Sequence, residues 1–213
     1  MHFLSQDIEN YIAEHSEDEP SALKELTRET NLKVVQPRMI TGHFQGRVLS
    51  MLSKILSPKN ILEIGTYTGY SAICLAEGLQ KDGMLHTVDI NEELVDMQRR
   101  YFHKSGFGDS IEQHLGDALD IVPKLDVLFD LIFIDAEKKS YDAYFECVIE
   151  KTRPGSIILS DNVLWSGKVV APLQKGDMAT RTLLGYNKKL KEDPRIETVV
   201  LPIRDGLTVS RVL

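Results

Sequence analysis

Apolar residues follow two spacings along the chain, one typical of buried strands and one typical of amphipathic helices. Five short apolar runs are separated by helix-length segments that contain turn signals; these runs are 60–64, 84–90, 111–115, 129–134 and 156–160. Strands that alternate with helices predict a parallel sheet with helices on both faces. Ligands of such sheets bind beyond the carboxyl ends of the strands, so the residues that follow each run are the candidates for chemistry.

Helical spacing dominates the part of the chain that precedes the first predicted strand. Residues 4 to about 30 follow this spacing with a break at Pro20, which is well placed to start a second helix. The stretch 44–55 again has apolar residues at helical intervals and ends before Pro58. We therefore predict an N-terminal helical accessory segment over residues 1–58.

The end of the chain has a different pattern. Two apolar runs, 196–201 and 207–212, are joined by the five residues 202–206. Parallel neighbours need a longer crossover, so these runs predict an antiparallel excursion at the sheet edge. The whole pattern predicts an α/β fold, a doubly wound seven-stranded sheet that is mostly parallel with an antiparallel edge strand. At 213 residues, the chain fits a single domain spanning 1–213.

Composition and charge narrow the class of protein and the class of partner. Hydrophobic residues make up 42% and charged residues 27% of the chain, which is typical of a globular domain rather than a disordered or collagen-like chain. The formal net charge of −7 argues against a broad surface for nucleic-acid phosphates, because such surfaces depend on clustered Lys and Arg.

The lack of a recognisable signal peptide and the cysteine usage indicate a reducing compartment. No apolar run is long enough to cross a bilayer, and the first residues lack the basic start and apolar stretch of a signal peptide. Cys74 and Cys147 both lie in helix-like segments, which favours buried thiols over a disulfide. We expect a cytoplasmic protein.

The turn after the first predicted strand has the composition of a ligand-binding loop. Residues 63–71 run from a strand through Gly65 and Gly69 into a predicted helix, and glycines there let the backbone approach a ligand closely. The loop lacks the third glycine of the dinucleotide fingerprint, which weakens a nicotinamide interpretation. A plain tight turn without a ligand is the alternative.

Acidic residues follow the next two predicted strands. Asp89 can accept both hydroxyl protons of a ribose, and Asp117, between Gly116 and Ala118, can accept from an adenine amino group. A helix cap is the alternative for each acid. Glu63 would repel a phosphate but attract the ammonium and sulfonium of S-adenosylmethionine (SAM), so charge favours this methyl donor over a dinucleotide.

Oxygen ligands follow the fourth and fifth predicted strands. Asp135, Asp161 and Asn162 would present three oxygens from adjacent strand ends, which suits Mg²⁺, Ca²⁺ or Mn²⁺. A cation there can hold two vicinal hydroxyls and acidify one of them. Lys138 follows Asp135 closely and is a candidate general base. The alternatives are a turn at 161–162 and a solvated lysine.

With these motifs the chain resembles the metal-dependent O-methyltransferases of the caffeoyl-CoA and catechol type. The resemblance runs from Met39 to Leu207 and is carried by 63–71, by Asp135-Ala136-x-Lys138 and by 161–165. It implies a Rossmann-like fold, a SAM-dependent and metal-dependent O-methyltransferase, and a homodimer.

The predicted site combines the residues above with those that the resemblance implies. The donor-binding set is Met39, Thr41, Glu63, Gly65, Tyr67, Gly69, Ser71, Asp89, Ile90, Gly116, Asp117, Ala118 and Asp135. The metal ligands are Asp135, Asp161 and Asn162, the catalytic residues are Lys138 and Asp135, and the substrate contacts are Trp165 and Lys138.

One position departs from the catechol branch of the family. Enzymes of that branch resemble this chain but have a tryptophan where Glu137 stands, so the caffeoyl-CoA-like bacterial branch fits better. Trp165 is expected to wall the acceptor pocket, with plain core packing as the alternative. The segment 164–178, which contains Gly167 and Gly176, is a plausible acceptor loop.

Two other functions compete with a small phenolic acceptor. A relative of this fold methylates a hydroxylated uridine in transfer RNA, and the basic run 187–191 with Arg153 could assist RNA binding, although acids follow the run at 192–193. The acidic net charge favours an aromatic diol. The second alternative is a non-catalytic nucleotide-binding module, against which the complete metal-ligand set argues.

Overall fold

The computed structural model of the protein describes residues 5–213; the predictions for residues 1–4 lie outside this range. The helices are α1 Gln6–Glu14, α2 Ser21–Lys33, α3 His43–Leu56, α4 Tyr70–Ala76, α5 Val95–Lys104, α6 Ala118–Ile121, α7 Tyr141–Ile149 and α8 Met178–Glu192. The strands are β1 Asn60–Ile64, β2 Met84–Asp89, β3 Ile111–Leu115, β4 Leu131–Ile134, β5 Ile157–Asp161, β6 Ile196–Leu201 and β7 Leu207–Val212. Short 3-10 turns occupy Pro37–Met39, Glu92–Leu94, Val122–Lys124, Lys138–Ser140 and Trp165–Val170.

The seven strands form a mostly parallel sheet in the order β3-β2-β1-β4-β5-β7-β6. The pairs β1–β2, β2–β3 and β4–β5 are parallel. Strand β7 is antiparallel to both β5 and β6, so β6 and β7 form an antiparallel edge pair. This arrangement confirms the predicted fold class, with the reversed strand second from the edge.

The accessory helices begin and end where the sequence predicts. Pro20 directly precedes α2, and α3 ends at Ser57, which has a left-handed backbone with φ of 48° and is followed by Pro58. A left-handed residue followed by proline is a common helix terminus. Among the helices within residues 5–213, none is both long and apolar enough to cross a membrane.

Contacts divide the described residues into two compact units. The N-terminal unit comprises the described residues up to Asp117, and the C-terminal unit comprises Ala118–Leu213. The prediction that they form one domain stays a prediction.

A partly buried ion cluster joins α3 to the end of α4 in the N-terminal unit. Glu77 accepts hydrogen bonds from Arg47 at 2.7 Å, from Ser50 at 2.7 Å and from Lys54 at 2.9 Å. Burial opposes ionisation of Glu77, but these hydrogen bonds outweigh it and lower the pKa of the carboxyl to about 2. The cluster therefore connects accessory helix α3 to α4, the helix that follows the glycine loop.

The C-terminal unit is built around β4, all four residues of which are buried. A strand without exposed positions is typical of the interior of a parallel sheet. The rings of Tyr141 in α7 and Tyr186 in α8 pack edge to face, with centroids 5.4 Å apart. Both cysteines are free thiols, as predicted; Cys74 is buried, whereas Cys147 is only partly buried.

Candidate active site

The glycine loop of the N-terminal unit is held by the carboxylate of Asp89. Gly65 and Gly69 have φ angles of 99° and 90°, a region that favours glycine. Between them, the backbone amides of Thr66 and Tyr67 donate to Asp89 Oδ2 at 2.9 and 2.8 Å. One carboxylate at the end of β2 thus fixes the turn that follows β1.

The helix-cap alternative for Asp89 is not what the structure has. Asn91 caps the turn Glu92–Leu94, because its side-chain oxygen accepts from the Glu93 amide at 3.0 Å. Asp89 instead accepts from the Asn91 amide at 2.9 Å through Oδ1. Both oxygens of Asp89 therefore orient backbone at the strand ends.

Glu63 is a fully buried acid at the start of the same loop. The Thr87 hydroxyl donates to Glu63 Oε2 at 2.5 Å and lies 2.5 Å from the Thr66 hydroxyl. Since Thr87 has a single proton to donate, the Thr66 hydroxyl must donate to Thr87. This relay connects the buried carboxylate to the loop, next to the position predicted for a cationic donor.

Tyr67 connects the loop to the segment before the turn Pro37–Met39. Its backbone is left-handed, with φ of 49°, and its hydroxyl donates to the carbonyl oxygens of Val35 and Gln36 at 3.2 and 3.1 Å. Gln98 of α5 donates to the Tyr67 carbonyl oxygen at 2.6 Å. Gln98 has no place in the sequence prediction, because a glutamine on a polar helix face gives no local signal.

The other predicted donor residues differ in exposure. Thr41, Ser71 and Ala118 are buried, whereas Met39 and Ile90 are exposed apolar side chains. Asp117 is exposed and Gly116 has φ of 143°. All of these lie in the N-terminal unit except Ala118, which belongs with Asp135 to the C-terminal unit.

The predicted metal ligands lie at the ends of two adjacent strands of the C-terminal unit. Ile134 of β4 pairs with Ser160 of β5, so Asp135 and Asp161 occupy equivalent positions one residue further on. Asp161 is buried and Asp135 is partly exposed. Asn162 follows with a left-handed backbone at φ of 58°, a conformation that asparagine tolerates better than most residues.

A hydrogen-bond network joins these strand ends through Lys138. Lys138 is only 7% exposed, and its Nζ donates to Asp135 Oδ1 and to the Tyr141 hydroxyl, both at 2.8 Å. Tyr141 in turn donates to the Asp161 carbonyl oxygen at 2.9 Å. The structure therefore brings three predicted site residues into one network, and the solvated-lysine alternative for Lys138 does not hold.

Tyr141 is the residue of this network that the sequence prediction missed. Its spacing of three from Lys138 within a helical turn is the available signal, but a buried tyrosine is more often plain core. Burial, reinforced by the charges of Asp135 and Asp161, raises the pKa of Tyr141 well above its ordinary value. The hydroxyl thus keeps its proton and acts as a fixed donor.

The donor set at these strand ends fits a hard divalent cation. Asp161 Oδ1 accepts from the Asn162 amide at 2.8 Å, which orients the carboxylate. Two carboxylates and one amide oxygen are the ligand types that Mg²⁺, Ca²⁺ and Mn²⁺ prefer.

The segment after Asn162 is anchored by the turn before β7. The amides of Leu164 and Ser166 donate to the carbonyl and side-chain oxygens of Asp205, and a Cβ on Gly206 would lie 2.4 Å from Leu164. Trp165 is half-buried, and within the described residues its indole nitrogen has no hydrogen-bond partner. An amphipathic indole held in a surface loop is consistent with a pocket wall, which stays a prediction.

Two of the basic residues considered for RNA binding, Lys189 and Arg153, are paired with acids. Lys189 lies 2.6 Å from Asp142 and 2.7 Å from Glu146, and Arg153 pairs with Asp130. These ion pairs reduce the positive charge that a phosphate backbone could use.

Comparison with known proteins identifies the family. A family model described as O-methyltransferase matches residues 13–213. Caffeoyl-CoA O-methyltransferase 1 of Eucalyptus globulus is 40% identical over 203 residues, covering 91% of this chain and 82% of that relative.

Solved structures agree with this match. The O-methyltransferase TomG from Streptomyces achromogenes, involved in tomaymycin synthesis and crystallised with SAM, has a TM-score of 0.89 at 28% identity and covers 97% of this chain and 96% of its own. The O-methyltransferase from Bacillus cereus in complex with SAH has a TM-score of 0.90 at 29% identity, with 97% of each chain covered. The enzyme class predicted from the sequence is confirmed: the chain belongs to the O-methyltransferase family.

Proposed function

We propose that this O-methyltransferase transfers the methyl group of SAM to one hydroxyl of a small vicinal-diol phenol, with a divalent cation bound at Asp135, Asp161 and Asn162. The observation that carries the proposal is the network in which buried Lys138 bonds to Asp135 and, through Tyr141, to Asp161. A surface lysine or a plain turn would not need such an arrangement.

The donor side of the proposal rests on the glycine loop. Amides held by Asp89 and the buried acid Glu63 form a loop suited to an amino-acid and ribose ligand rather than to a phosphate. Similar structures contain SAM, as in the Streptomyces achromogenes protein, or SAH, as in the Bacillus cereus protein, which supports SAM as the donor.

Residues of the C-terminal unit would hold the cation and manage the proton. Asp135, Asp161 and Asn162 would supply the oxygen ligands of a hard cation such as Mg²⁺, Ca²⁺ or Mn²⁺. When bound, the cation supplies Lewis acidity toward paired hydroxyls. In its neutral form, Lys138 would accept the hydroxyl proton at the Nζ lone pair while its two N–H bonds stay on Asp135 and the Tyr141 hydroxyl, so that Tyr141 keeps Lys138 in place. Because the chemistry is a displacement at carbon, the protein contributes mainly by positioning the reactants.

The acceptor class follows from the relatives and from the surface charge. The relative from Eucalyptus globulus is named for caffeoyl-CoA, a phenolic thioester, and the paired state of Lys189 and Arg153 disfavours RNA. We further propose that the protein acts in the cytoplasm, as its cysteine usage indicates, and that it forms a homodimer, as the family resemblance implies.

An acceptor screen tests the proposal. Catechol, caffeate, caffeoyl-CoA and hydroxyuridine-containing transfer RNA are each offered with SAM, with Mg²⁺ or with a chelator, and SAH formation is measured. We expect turnover of a phenolic diol that the chelator abolishes. Turnover of transfer RNA alone, or turnover that the chelator leaves unchanged, would contradict the acceptor or the metal assignment respectively.

Two variants separate the metal site from the donor site. Asp161→Ala should lower metal-dependent kcat/KM by at least about 100-fold, the upper end of what changes around metal ligands cost, while its affinity for SAH stays at the wild-type value. Asp142→Ala, which removes an exposed carboxylate of the same unit, is the matched control and should keep full activity. If Asp161→Ala also abolished SAH binding without unfolding, the division between donor and metal residues would be wrong.

A further inference from the structure

Two histidines and a glutamate converge on the outer two strands at one end of the sheet. His86 of β2 pairs in register with Glu112 of β3, and His114 lies two residues further along β3. Since side chains alternate along a strand, Glu112 and His114 point to the same face as His86. None of these residues takes part in the donor loop or the predicted carboxylate site.

The distances between the ligand atoms match those of a tetrahedral metal centre. His86 Nδ1 lies 3.1 Å from His114 Nε2 and 3.4 Å from Glu112 Oε2, and His114 Nε2 lies 4.0 Å from Glu112 Oε1. Two ligands about 2.0–2.1 Å from a zinc ion in tetrahedral geometry are about 3.3 Å apart. The two glutamate distances involve different oxygens, so Glu112 would have to rotate to bring one oxygen near both histidines. One ligand atom from each residue lies within 4.8 Å of the other two.

The surroundings leave the imidazoles ordered and the cluster accessible. The histidine side chains are 13% and 16% exposed and Glu112 is 54% exposed. The two rings stack with centroids 5.3 Å apart. Their positions are therefore already fixed before a metal ion binds.

We infer that His86, Glu112 and His114 form a binding site for a transition-metal dication of the zinc class, with a fourth position open to solvent. Imidazole nitrogens favour zinc, nickel or copper, whereas the all-oxygen set at Asp135 and Asp161 favours magnesium, calcium or manganese. The chain would therefore sort two kinds of metal into two separate sites. Binding here would also fasten edge strand β3 to β2.

A zinc titration of the full chain tests this inference, with zinc alone as the probe. Protein stripped with a chelator is titrated against a chromophoric zinc competitor in an Asp161→Ala background, so that zinc binding at the carboxylate site does not contribute. We expect one tight equivalent of zinc. His86→Gln and His114→Gln should each weaken zinc binding by at least about 100-fold. Removal of a metal ligand costs at least as much affinity as removal of a residue that hydrogen-bonds to a ligand.

Controls keep loss of folding apart from loss of a ligand. His103→Gln replaces an exposed histidine of α5 and should bind zinc as tightly as its parent. Glu112→Gln changes the most exposed member of the cluster, and should weaken zinc by about 10-fold without changing the urea midpoint of the metal-free protein. Equal zinc affinity in the parent and in His114→Gln would overturn the inference, as would the absence of a tight equivalent.

A spectroscopic readout is independent of affinity. Cobalt bound at a tetrahedral nitrogen and oxygen site gives intense visible bands, whereas octahedral cobalt gives weak ones. We expect intense bands in the Asp161→Ala protein that disappear in the His86→Gln derivative. Weak bands in both proteins would overturn the assignment. Neither readout depends on methyl transfer, so failure here leaves the proposed function untouched.

Discussion

The substitution Tyr141→Phe removes one buried hydroxyl and keeps the ring, so it tests the network around Lys138 without opening a large cavity. The hydroxyl accepts from Lys138 Nζ at 2.8 Å and donates to the Asp161 carbonyl oxygen at 2.9 Å. A hydrogen bond to a charged group contributes about 1.5–3 kcal/mol and a neutral one about 0.5–1.5 kcal/mol. Because both partner residues are buried, we expect the free energy of unfolding to fall by about 2–4.5 kcal/mol. For a chain of this size, the melting temperature falls by roughly 4–18 °C.

The same substitution should reduce activity more than the loss of stability alone explains. Lys138 and Asp161 lose the group that fixes their separation, and displacements of about 1 Å in a positioned site cost about 100-fold in rate. At a temperature where the variant is fully folded, kcat/KM for the phenolic acceptor should therefore fall by about 100-fold. Affinity for SAH, measured by calorimetry, should stay at the wild-type value.

Tyr186→Phe is the matched control, because it also deletes a buried tyrosine hydroxyl of the C-terminal unit. That hydroxyl has a neutral partner, Ser160 Oγ at 2.7 Å, so the expected cost is about 0.5–1.5 kcal/mol with little change in kcat/KM. Urea unfolding and steady-state assays of both variants decide the question. If the two variants lost the same stability and the same activity, Tyr141 would be an ordinary core residue and the network would carry no positioning role.

Three further predictions address the N-terminal unit. The pKa of Glu77 is lowered from 4.5 to about 2 in the folded chain, so the stability that it contributes is complete above pH 4.5 and is lost as the pH falls toward 2. Glu77→Gln should therefore lower the free energy of unfolding by about 3 kcal/mol at pH 7. It should also reduce the loss of stability below pH 4.5 in a series of urea-unfolding measurements. Asp89→Asn should weaken SAH binding roughly 10–100-fold by calorimetry, because the amides of the glycine loop lose a charged acceptor; unchanged affinity would contradict this role. A Cβ at Gly69 would lie 2.6 Å from the Phe102 ring, whereas a Cβ at Gly106 would have no neighbouring atom within 4 Å among the described residues. Both glycines have positive φ, so Gly69→Ala should cost about 1–3 kcal/mol more than Gly106→Ala in urea unfolding.

Strand positions could be predicted well wherever apolar runs have clear polar boundaries. The predicted runs 60–64, 111–115, 196–201 and 207–212 have the bounds that the structure gives them. The bounds of the other three predicted runs differ from those of the strands by one or two residues. Phe129, for example, is buried and its amide bonds to Lys151, so it looks like strand in the sequence although β4 begins at Leu131.

The sequence identifies the strand-end acids of the candidate site but not the groups that hold them. Asp89, Asp135 and Asp161 are visible in the sequence because they follow apolar runs, and parallel strands place such residues at one edge. Gln98 acts through its hydrogen bond to the Tyr67 carbonyl oxygen, and Tyr141 through its hydrogen bond to the Asp161 carbonyl oxygen; both partners lie far away in the sequence. Such contacts depend on tertiary packing, and composition near those residues does not distinguish them from ordinary helix positions.

For the strand-end carboxylates, structural and functional interpretations are not true alternatives. A carboxylate has about four acceptor sites, and Asp89 uses three of them on backbone amides of the loop and the following turn. Those bonds fix the carboxylate and the loop during folding, so a ligand that arrives later does not have to order either one, and the entropic cost of binding falls. The same holds for Asp161, whose side chain is oriented by the Asn162 amide and whose carbonyl is fixed by Tyr141. An acid whose hydrogen bonds are internal looks structural, yet it is the acid best prepared to bind a ligand. The substitutions with the largest expected effects on affinity and rate therefore fall on residues that internal hydrogen bonds already orient.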